Sequence, residues 1–313
     1  MTASTTRRTA ATKSRIVAVG AIAVAGTMLL TGCGDQTGDN GGATKTSDAP
    51  LFDKLPKKIQ DAGVIKVGTD AAYAPMEYEE GGKIVGIDPD IAAALGKQLG
   101  VKFTFTSGTF DGLITSLNTG RQDIVMSAMS DTKARQEGLD EKGKKAGKGV
   151  DFVDYFNSGV SLLVKKGNPE NIKSLDDLCG KKVAVQRGTI YETTFKDQAK
   201  KCGKKTLEIA SFDTDAEAQT RVKIGAAVAD LNDYPVAAHI AKTAGGGKDF
   251  EVAGGQVGAG PFGIAVNKDN TQLRDALKDA LNAIIKNGEY EKVLEKWDVK
   301  NSAVTEATIN AGK

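Results

Sequence analysis

The stretch FDGLITSLNTGRQDIVMSAMSDTKAR, residues 110–135, combines a helical pattern, an apolar run and a polar segment that ends in arginine. The pattern predicts a short helix that begins near Phe110, followed by a buried strand in DIVMSAM. The hydroxyl side chains of Ser127 and Ser130 and the guanidinium of Arg135 come at and beyond the end of this strand. Guanidinium and hydroxyl groups are donors suited to a carboxylate, so this strand end is a candidate anion-binding site.

Short β-branched runs alternate with helical patterns on both sides of this stretch, which predicts an α/β fold with parallel strands. Before it come the strand VIKVGTD, the helix IDPDIAAALGKQLG with Asp88 as its N-cap, and the strand VKFTFT. After it, a second series begins at GVSLLVKKG and runs through KKVAVQRG and TLEIA to AAVADLND. The two series predict two sheets and therefore two lobes. The strand PFGIAVNK and one or two helices follow, with an apolar stripe at Leu273, Leu277, Leu281 and Ile284.

The first 32 residues have the pattern of an export signal. Arg7, Arg8, Lys13 and Arg15 precede the apolar run IVAVGAIAVAGTMLL. As a helix this run would be roughly 22 Å long, shorter than the ~30 Å hydrocarbon core of a membrane. The run stops at LTGC, which resembles the lipobox of bacterial lipoproteins and implies cleavage before Cys33 and lipidation of its sulfur. An ordinary signal peptide and an N-terminal membrane anchor are the alternatives.

Residues 33–50 are rich in glycine and polar side chains, which predicts a flexible tether. Removal of residues 1–32 takes away four positive charges and no negative ones, so the formal net charge changes from +2 to −2 and gives no indication of nucleic-acid binding.

Cys179 and Cys202 each precede a glycine, as at a helix end, and an exported chain can join them in a disulfide; two free buried thiols are the alternative. His239 is the only histidine and no C-x-x-C spacing occurs, so we expect no metal site and no cofactor.

Several segments occur in the order typical of one protein family. They are VGTDAAYAPMEY, GKIVGIDPDIAAALGKQLG, the opening stretch, VDFVDYFNSG, LCGKKVAVQRGT, LNDYPVA and the C-terminal GIAVNK with its helices. From about residue 55 to residue 297 the chain thereby resembles the extracellular solute-binding proteins, family 3, which deliver amino acids to ABC importers. The resemblance implies an α/β type II periplasmic-binding-protein fold, in which two α/β lobes are joined by a two-strand hinge and the ligand lies between them. It places lobe 1 in residues 51–158 and 261–313, lobe 2 in residues 159–260, and the crossings near residues 157–161 and 258–263.

By this resemblance, the cleft holds the carboxylate and the ammonium of an α-amino acid. Arg135 binds the carboxylate, and Asp233 binds the ammonium. Backbone groups and one hydroxyl complete the head-group site at Ser127, Ser130, Thr189 and Ile190. The side-chain pocket consists of Asp70, Tyr73, Phe110, Ala128, Gln186 and Tyr191. From the residues alone, Arg135 could be a surface side chain, Asp233 a cap of the following helix, and Phe110 a core residue.

The resemblance further implies a monomeric lipoprotein on the outer face of the cell membrane, which captures a polar or basic L-amino acid and passes it to permease subunits. A secreted cyclohexadienyl (arogenate/prephenate) dehydratase of the same fold, with Asp233 or Asp70 as general acid, is one alternative, and a ligand-sensing surface lipoprotein is another. The sequence contains no nucleophile motif, phosphate loop or dinucleotide fingerprint, so we expect a binding protein rather than an enzyme. Two features depart from the family pattern: extra residues in the segment 137–149, interpreted as a surface loop, and Val228 where an aspartate is usual.

Overall fold

The computed structural model describes residues 46–140 and 142–313. The predicted export signal, the lipidation site Cys33 and most of the predicted tether lie outside these residues. The strands are β1 (Val64–Thr69), β2 (Ala72–Tyr73), β3 (Glu77–Glu80), β4 (Lys83–Val85), β5 (Lys102–Ser107), β6 (Ile124–Val125), β7 (Val150–Lys165), β8 (Lys182–Gln186), β9 (Glu208–Phe212), β10 (Ala229–Asp233), β11 (Phe250–Asn267) and β12 (Thr308–Ile309). The helices are α1 (Lys57–Ala62), α2 (Ile87–Leu99), α3 (Leu113–Asn118), α4 (Lys133–Glu137), α5 (Ile190–Lys201), α6 (Asp215–Lys223), α7 (Tyr234–Thr243), α8 (Thr271–Lys286) and α9 (Glu289–Lys296). Within the described part of the chain, no helix has the length and apolar character needed to cross a membrane.

One sheet contains most of the strands, in the order β10-β7-β11-β6-β1-β5, with β12 paired to β7. β1 lies parallel to β5 and β6, as expected for strands that are joined by helices. β7 is antiparallel to both β10 and β11. β8 and β9 form a separate parallel pair, and β2, β3 and β4 form a small antiparallel sheet. The prediction of a separate sheet for each lobe is wrong, because β7 and β11 carry one sheet through both lobes.

The two lobes are joined by β7 and β11, which have 16 and 18 residues and pair antiparallel. The register of this pair shifts on either side of Val257. A Cβ atom on Gly159 would lie 2.9 Å from the carbonyl oxygen of Gly258, so this irregular stretch requires glycine. The predicted crossings near residues 157–161 and 258–263 lie in this stretch, and the lobe boundaries around them stay a prediction.

Lobe 1 is covered by α2, α8 and α9, which pack against one another. The apolar stripe of α8 is fully buried, as predicted, at Leu273, Leu277, Leu281 and Ile284. The N-cap predicted for α2 is wrong, because the helix begins at Ile87 and Asp88 lies inside its first turn. The buried Asp88 carboxylate accepts instead from the N–H of Ala128 (3.0 Å) and the hydroxyl of Tyr155 (2.6 Å). The Asp88 carboxylate therefore bonds to distant parts of the chain rather than to the start of its own helix.

Of the predicted tether, residues 33–50, the structure describes only residues 46–50. The Thr46 N–H donates to the carbonyl oxygen of Gly100 (3.0 Å), and Ala49 packs against the core of lobe 1. Residues 46–50 are thus attached to the folded body. The composition of this segment gives no sign of these contacts, because one is a backbone hydrogen bond and the other involves only a methyl group.

Lobe 2 has its own core, formed by apolar residues of β7, β8, β10 and α5. Cys179 follows a short 3-10 helix, Leu175–Leu178, and Cys202 follows α5. The two cysteines form a disulfide with their Cα atoms 5.3 Å apart, and both end helices, as the glycines after them indicate. The bond closes a loop over a separation of 23 residues, which lowers the entropy of the unfolded chain.

The extra segment 137–149 lies on the surface, with most of its described side chains exposed. Leu139 and Lys145 form an isolated β-bridge, which gives the segment the shape of a short hairpin. Lys148 forms an ion pair with Asp269 just beyond β11. These contacts are of the kind expected for a solvated loop.

Candidate ligand-binding site

A small cavity lies between the two lobes, at the ends of β1 and β6 on one side and of β8 and β10 on the other. It is lined by Asp70, Tyr73, Glu77, Phe110, Ser127, Ala128, Ser130, Arg135, Gln186, Thr189, Ile190, Tyr191 and Asp233. Every residue that the resemblance implies for the ligand site is in this set, so the structure brings all of them together. Glu77 is the lining residue that sequence reasoning missed, because an acidic side chain at the start of the strand EYEE gives no sign of burial.

The segment after β6 forms the lobe 1 side of the cavity. The predicted strand DIVMSAM pairs only at Ile124–Val125, after which the chain turns out of the sheet. Ala128 has a φ of 44°, a left-handed conformation that is unfavourable for a residue other than glycine. The Ser127 hydroxyl donates to Glu77 Oε1 (2.8 Å) and accepts from the N–H of Asp70 (2.9 Å). Side-chain hydrogen bonds thus hold a turn that the backbone alone would disfavour.

Arg135 projects from α4 into the cavity. Its guanidinium donates to the carbonyl oxygens of Ser130 (Nη1, 2.7 Å) and Gly188 (Nη2, 3.1 Å) and lies 5.3 Å from the centre of the Phe110 ring. Burial lowers the pKa of Arg135 to about 10, so the group stays charged at neutral pH. Among the described residues, no carboxylate forms an ion pair with it. This geometry shows that Arg135 is not a surface side chain. Phe110 contacts Arg135 and also packs against a buried apolar cluster of lobe 1, so it is partly a core residue.

Asp233 comes directly before α7, but its side chain does not cap that helix. Asp233 Oδ2 accepts from the hydroxyl of Tyr73 (3.0 Å), which lies 3.4 Å from the hydroxyl of Tyr191. Burial raises the pKa of Asp233 to about 7, although the two tyrosines and the nearby Arg135 act in the opposite direction. No lysine or arginine in the described ranges forms an ion pair with Asp233. The helix-cap alternative is therefore wrong.

Asp70 and Gln186 form a third contact between the lobes. Gln186 Nε2 donates to Asp70 Oδ2 (2.5 Å) and to the carbonyl oxygen of Asp213 (3.1 Å). Burial raises the pKa of Asp70, and the hydrogen bond from Gln186 counteracts this shift. A carboxylate in this position can accept hydrogen bonds from the end of a ligand side chain.

The start of α5 supplies backbone donors to the cavity. Thr189 is the N-cap of this helix, and its hydroxyl accepts from the N–H of Glu192 (3.3 Å) and donates to the carbonyl oxygen of Gln186 (2.8 Å). The first N–H groups of a helix have no acceptor within the helix and carry the positive end of its dipole. Thr189 and Ile190 line the cavity, so these N–H groups lie where a carboxylate could bind.

The two lobes, the two-strand hinge and the cavity between them define a ligand-binding protein of the type II periplasmic fold. Residues 65–300 match the bacterial extracellular solute-binding proteins, family 3, and the chain belongs to this family. The L-cystine-binding protein TcyJ of Escherichia coli (strain K12) is 31% identical over 245 residues, which are 78% of this chain and 85% of the relative. Among solved structures, an ancestral arginine-binding protein bound to arginine is 38% identical, with a TM-score of 0.66 over 75% of this chain and 98% of that chain. The ancestral amino acid-binding protein AncCDT-1, a precursor of cyclohexadienyl dehydratase, is 37% identical, with a TM-score of 0.64 over 77% of this chain and 97% of that chain.

These comparisons confirm the predicted family and the predicted fold. The relatives named here are binding proteins, which agrees with the expectation of a binding function. In the described residues, no group of histidine, cysteine or acidic side chains is arranged to hold a metal ion.

The buried carboxyl groups predict how the stability of the protein depends on pH. The pKa values of Asp233 and Asp154 are about 7 and those of Asp88 and Asp215 are about 6, because burial disfavours the charged forms. In the unfolded chain each group returns to a pKa of about 4. Between these values the folded protein binds more protons than the unfolded chain, so the free energy of unfolding falls as the pH rises from about 4 to about 7.

Calorimetry of the ligand-free protein should therefore give a higher melting temperature at pH 5 than at pH 8. Asp233→Asn removes one of the groups responsible and should flatten this dependence. The exposed Asp53 provides a control, because Asp53→Asn should leave the slope unchanged. A melting temperature that rises between pH 5 and pH 8 would contradict the assignment of protons to these buried groups.

Proposed function

We propose that the protein captures a polar or basic L-amino acid in the cavity between its lobes and delivers it to the permease subunits of an ABC importer. One observation carries this proposal: Arg135 and Asp233 line the same cavity, and neither has an ion-pair partner among the described residues. A buried charge without a partner of opposite sign is costly. An amino-acid zwitterion supplies a carboxylate for Arg135 and an ammonium for Asp233, so one small ligand pairs both charges.

The arrangement of donors supports this mode of binding. A guanidinium has five N–H groups, and two nitrogen atoms of Arg135 donate to backbone carbonyls, so further N–H groups are available for a ligand carboxylate. The N–H groups of Thr189 and Ile190 complete the carboxylate site, and the Ser130 hydroxyl assists Asp233 with the ammonium. Arg135 and Ser130 belong to lobe 1 and the other groups to lobe 2. A ligand that contacts both lobes favours the closed arrangement over an open one.

The remaining part of the cavity favours a ligand side chain with a positive charge or a hydrogen-bond donor at its end. Asp70 supplies a carboxylate, and Gln186 holds it in place. Tyr73 and Phe110 offer aromatic faces that suit an aliphatic stem or a guanidinium, a contact worth up to about 2 kcal/mol when desolvated. The relatives that bind arginine and L-cystine support this class of ligand, since both molecules carry an ammonium or guanidinium group far from the first ammonium.

A dehydratase has two observations in its favour. The pKa of Asp233 is about 7, which is the range that a general acid needs at neutral pH. The structural relative AncCDT-1 is a precursor of such an enzyme. A dehydratase would bind arogenate or prephenate in the same cavity and release a product, whereas a transport protein would return its ligand unchanged. A ligand-sensing lipoprotein would bind without any effect on uptake.

A thermal-shift screen of the chain without its first 33 residues against the common L-amino acids tests the proposal. We expect arginine, lysine, histidine or glutamine to raise the melting temperature most, because a ligand that binds only the folded state stabilises it. Incubation with arogenate and prephenate, followed by chromatography, provides the comparison. Stabilisation without chemical change supports a binding protein, turnover of either acid supports the dehydratase, and no response to any amino acid contradicts the proposal.

Arg135→Ala should weaken the binding of the best amino acid by about 2–5 kcal/mol, because the ligand carboxylate loses its charged partner. Isothermal titration calorimetry measures this loss. Arg221→Ala is a matched control, since its guanidinium lies 5.2 Å from the centre of the Phe212 ring but does not line the cavity. Equal affinity of Arg135→Ala and the wild type would exclude the proposed role. A similar loss in both variants would indicate a general effect of charge.

We propose further that the protein is exported and held as a monomer on the outer face of the cell membrane by lipid on Cys33. The charged start, the apolar run and the LTGC sequence of residues 1–33 support this location. Cys33→Ser should move the protein from the membrane fraction to the soluble fraction, because it removes the site of acylation. Cys202→Ser should leave the protein in the membrane fraction. Membrane retention of Cys33→Ser, measured by fractionation and immunoblotting, would indicate a different anchor.

A further inference from the structure

Two buried carboxyl groups, those of Glu77 and Asp88, contact the turn that forms the lobe 1 side of the cavity. Glu77 is the first residue of β3, Asp88 lies in the first turn of α2, and both side chains are fully buried. Glu77 Oε1 accepts from the hydroxyl of Ser127 (2.8 Å). Asp88 Oδ2 accepts from the N–H of Ala128 (3.0 Å). Two consecutive residues of the turn are thus each held by one member of the pair.

The second carboxyl oxygen of Glu77 indicates a proton in this pair. Glu77 Oε2 is buried, and no donor group of the described residues bonds to it. A buried acceptor without a donor is unfavourable and rare in native proteins. The Asp88 carboxyl group bonds to the residue after Ser127, and the two carboxyl groups influence each other's pKa. A proton on Glu77 Oε2 turns this oxygen into a donor to Asp88, and both carboxyl groups are then fully hydrogen-bonded.

The surroundings of the pair determine which member holds the proton. Asp88 accepts from the Tyr155 hydroxyl (2.6 Å) in addition to the backbone N–H, and it lies at the positive end of the α2 dipole, so its charged form is favoured. Burial and the neighbouring Asp88 raise the pKa of Glu77 well above its usual value, whereas the pKa of Asp88 rises only to about 6. Asp70 also faces the pair and adds negative charge, which raises the pKa of Glu77 further.

We propose that Glu77 and Asp88 share one proton and act as positioning residues for ligand binding, an inference that rests on the proposed function. Ala128 has a φ of 44°, so the turn needs support from outside its own backbone. A neutral Glu77 bound to Ser127 and an ionised Asp88 bound to the Ala128 N–H provide that support. The pair thereby holds Ser127 and Ala128, two residues that line the cavity, in place for the ligand.

Asp88 also connects the turn to the hinge. Tyr155, which donates to Asp88, belongs to β7, and its carbonyl oxygen accepts from the hydroxyl of Tyr290 on α9 (2.7 Å). A change at Asp88 therefore affects both the turn and a strand that joins the lobes. Substitution of Asp88 should disturb binding more than a conservative substitution of Glu77.

Four variants test the proposal. Glu77→Gln reproduces the protonated acid, because its amide oxygen can accept from Ser127 and its amide N–H can donate to Asp88. Glu77→Ala removes both interactions. Asp88→Asn replaces one of the two acceptor oxygens by an N–H group, which then faces a donor, and this is unfavourable. Asp90→Asn is a matched control on the same helix turn, since Asp90 is partly exposed and accepts from the indole of Trp297 (2.7 Å) instead of the cavity turn.

We expect calorimetry with L-arginine to give an affinity loss of about tenfold or more for Asp88→Asn, because a buried donor loses its acceptor. Glu77→Gln should restore most of the affinity that Glu77→Ala loses, and Asp90→Asn should bind like the wild type. The infrared difference spectrum of the wild type and Glu77→Gln at neutral pH should contain the C=O stretching band of a protonated carboxylic acid. The difference spectrum separates Glu77 from the other buried acids.

A missing infrared band would overturn the shared proton. So would a loss of affinity in Glu77→Gln combined with an unchanged affinity in Asp88→Asn. Equal affinity of all variants would overturn the positioning role. The infrared measurement needs no ligand, and the comparison of the two Glu77 variants decides the positioning role if Asp88→Asn does not fold. Failure of the wild type to bind any L-amino acid would refute the proposed function, a result distinct from each of these.

Discussion

The antiparallel pairing of β7 with β11 is the constraint on which the cavity depends. Arg135 and Asp233, the two groups proposed to bind the ligand head group, are each held by one of these strands. The segment that carries Arg135 is joined to β11 through the β-bridge between Ser130 and Phe262, and Asp233 is paired with Val160 of β7. The register of the strand pair therefore sets the separation of the guanidinium and the carboxylate. A slip of this register would move both groups relative to each other without changing either lobe.

Each lobe contains a pair of buried carboxyl groups, one on a strand and one at the start of a helix. In each pair the protonation of one member reduces the negative charge in the interior. In lobe 1 the pair is Glu77 on a strand and Asp88 in the first turn of α2; in lobe 2 it is Asp230 on β10 and Asp215 in the first turn of α6. In each pair the strand acid has a pKa well above its usual value, and the helix acid has a pKa of about 6. Helix dipoles favour the charged form at the helix starts, so the strand acids keep their protons. Because the strand acids are neutral, fewer negative charges repel the Asp233 carboxylate than the number of buried acids suggests.

Local patterns in the sequence predicted the class of the elements well and their long-range partners poorly. The stripe on α8, the helix ends at the two cysteines and the position of Arg135 after a buried strand follow from spacing that is visible over short windows. The role of Asp88 does not, because its donors are a backbone N–H and a tyrosine hydroxyl far along the chain. A helix cap is the simplest local interpretation of an acid at that position, and tertiary hydrogen bonds override it.

The residues of the candidate site also differ in how far the sequence predicted them. The resemblance to a family supplied the residues that line the cavity, whereas composition and periodicity alone left Arg135 and Asp233 open to surface and capping roles. Neither the resemblance nor the local patterns identified Glu77. Its burial results from the contact of β3 with the turn at Ser127 and not from its neighbours in sequence. The resemblance implied the two-strand hinge, but local patterns gave no sign that β7 and β11 continue one sheet through both lobes, since this pairing joins residues about a hundred positions apart.

The extra segment after Arg135 does not displace this residue, because the base of the loop is closed. A Cβ atom on Gly149 would lie 2.0 Å from the carbonyl oxygen of Gln136, so the two ends of the segment are in backbone contact directly behind α4. The buried amide of Gln136 donates to Asp131 Oδ1 (2.7 Å) and to the carbonyl oxygen of Gly312 near the C-terminus (3.2 Å). The helix of Arg135 is thus fixed on its inner side by distant parts of lobe 1. Insertions beyond such a closure alter the surface and leave the geometry of the guanidinium unchanged.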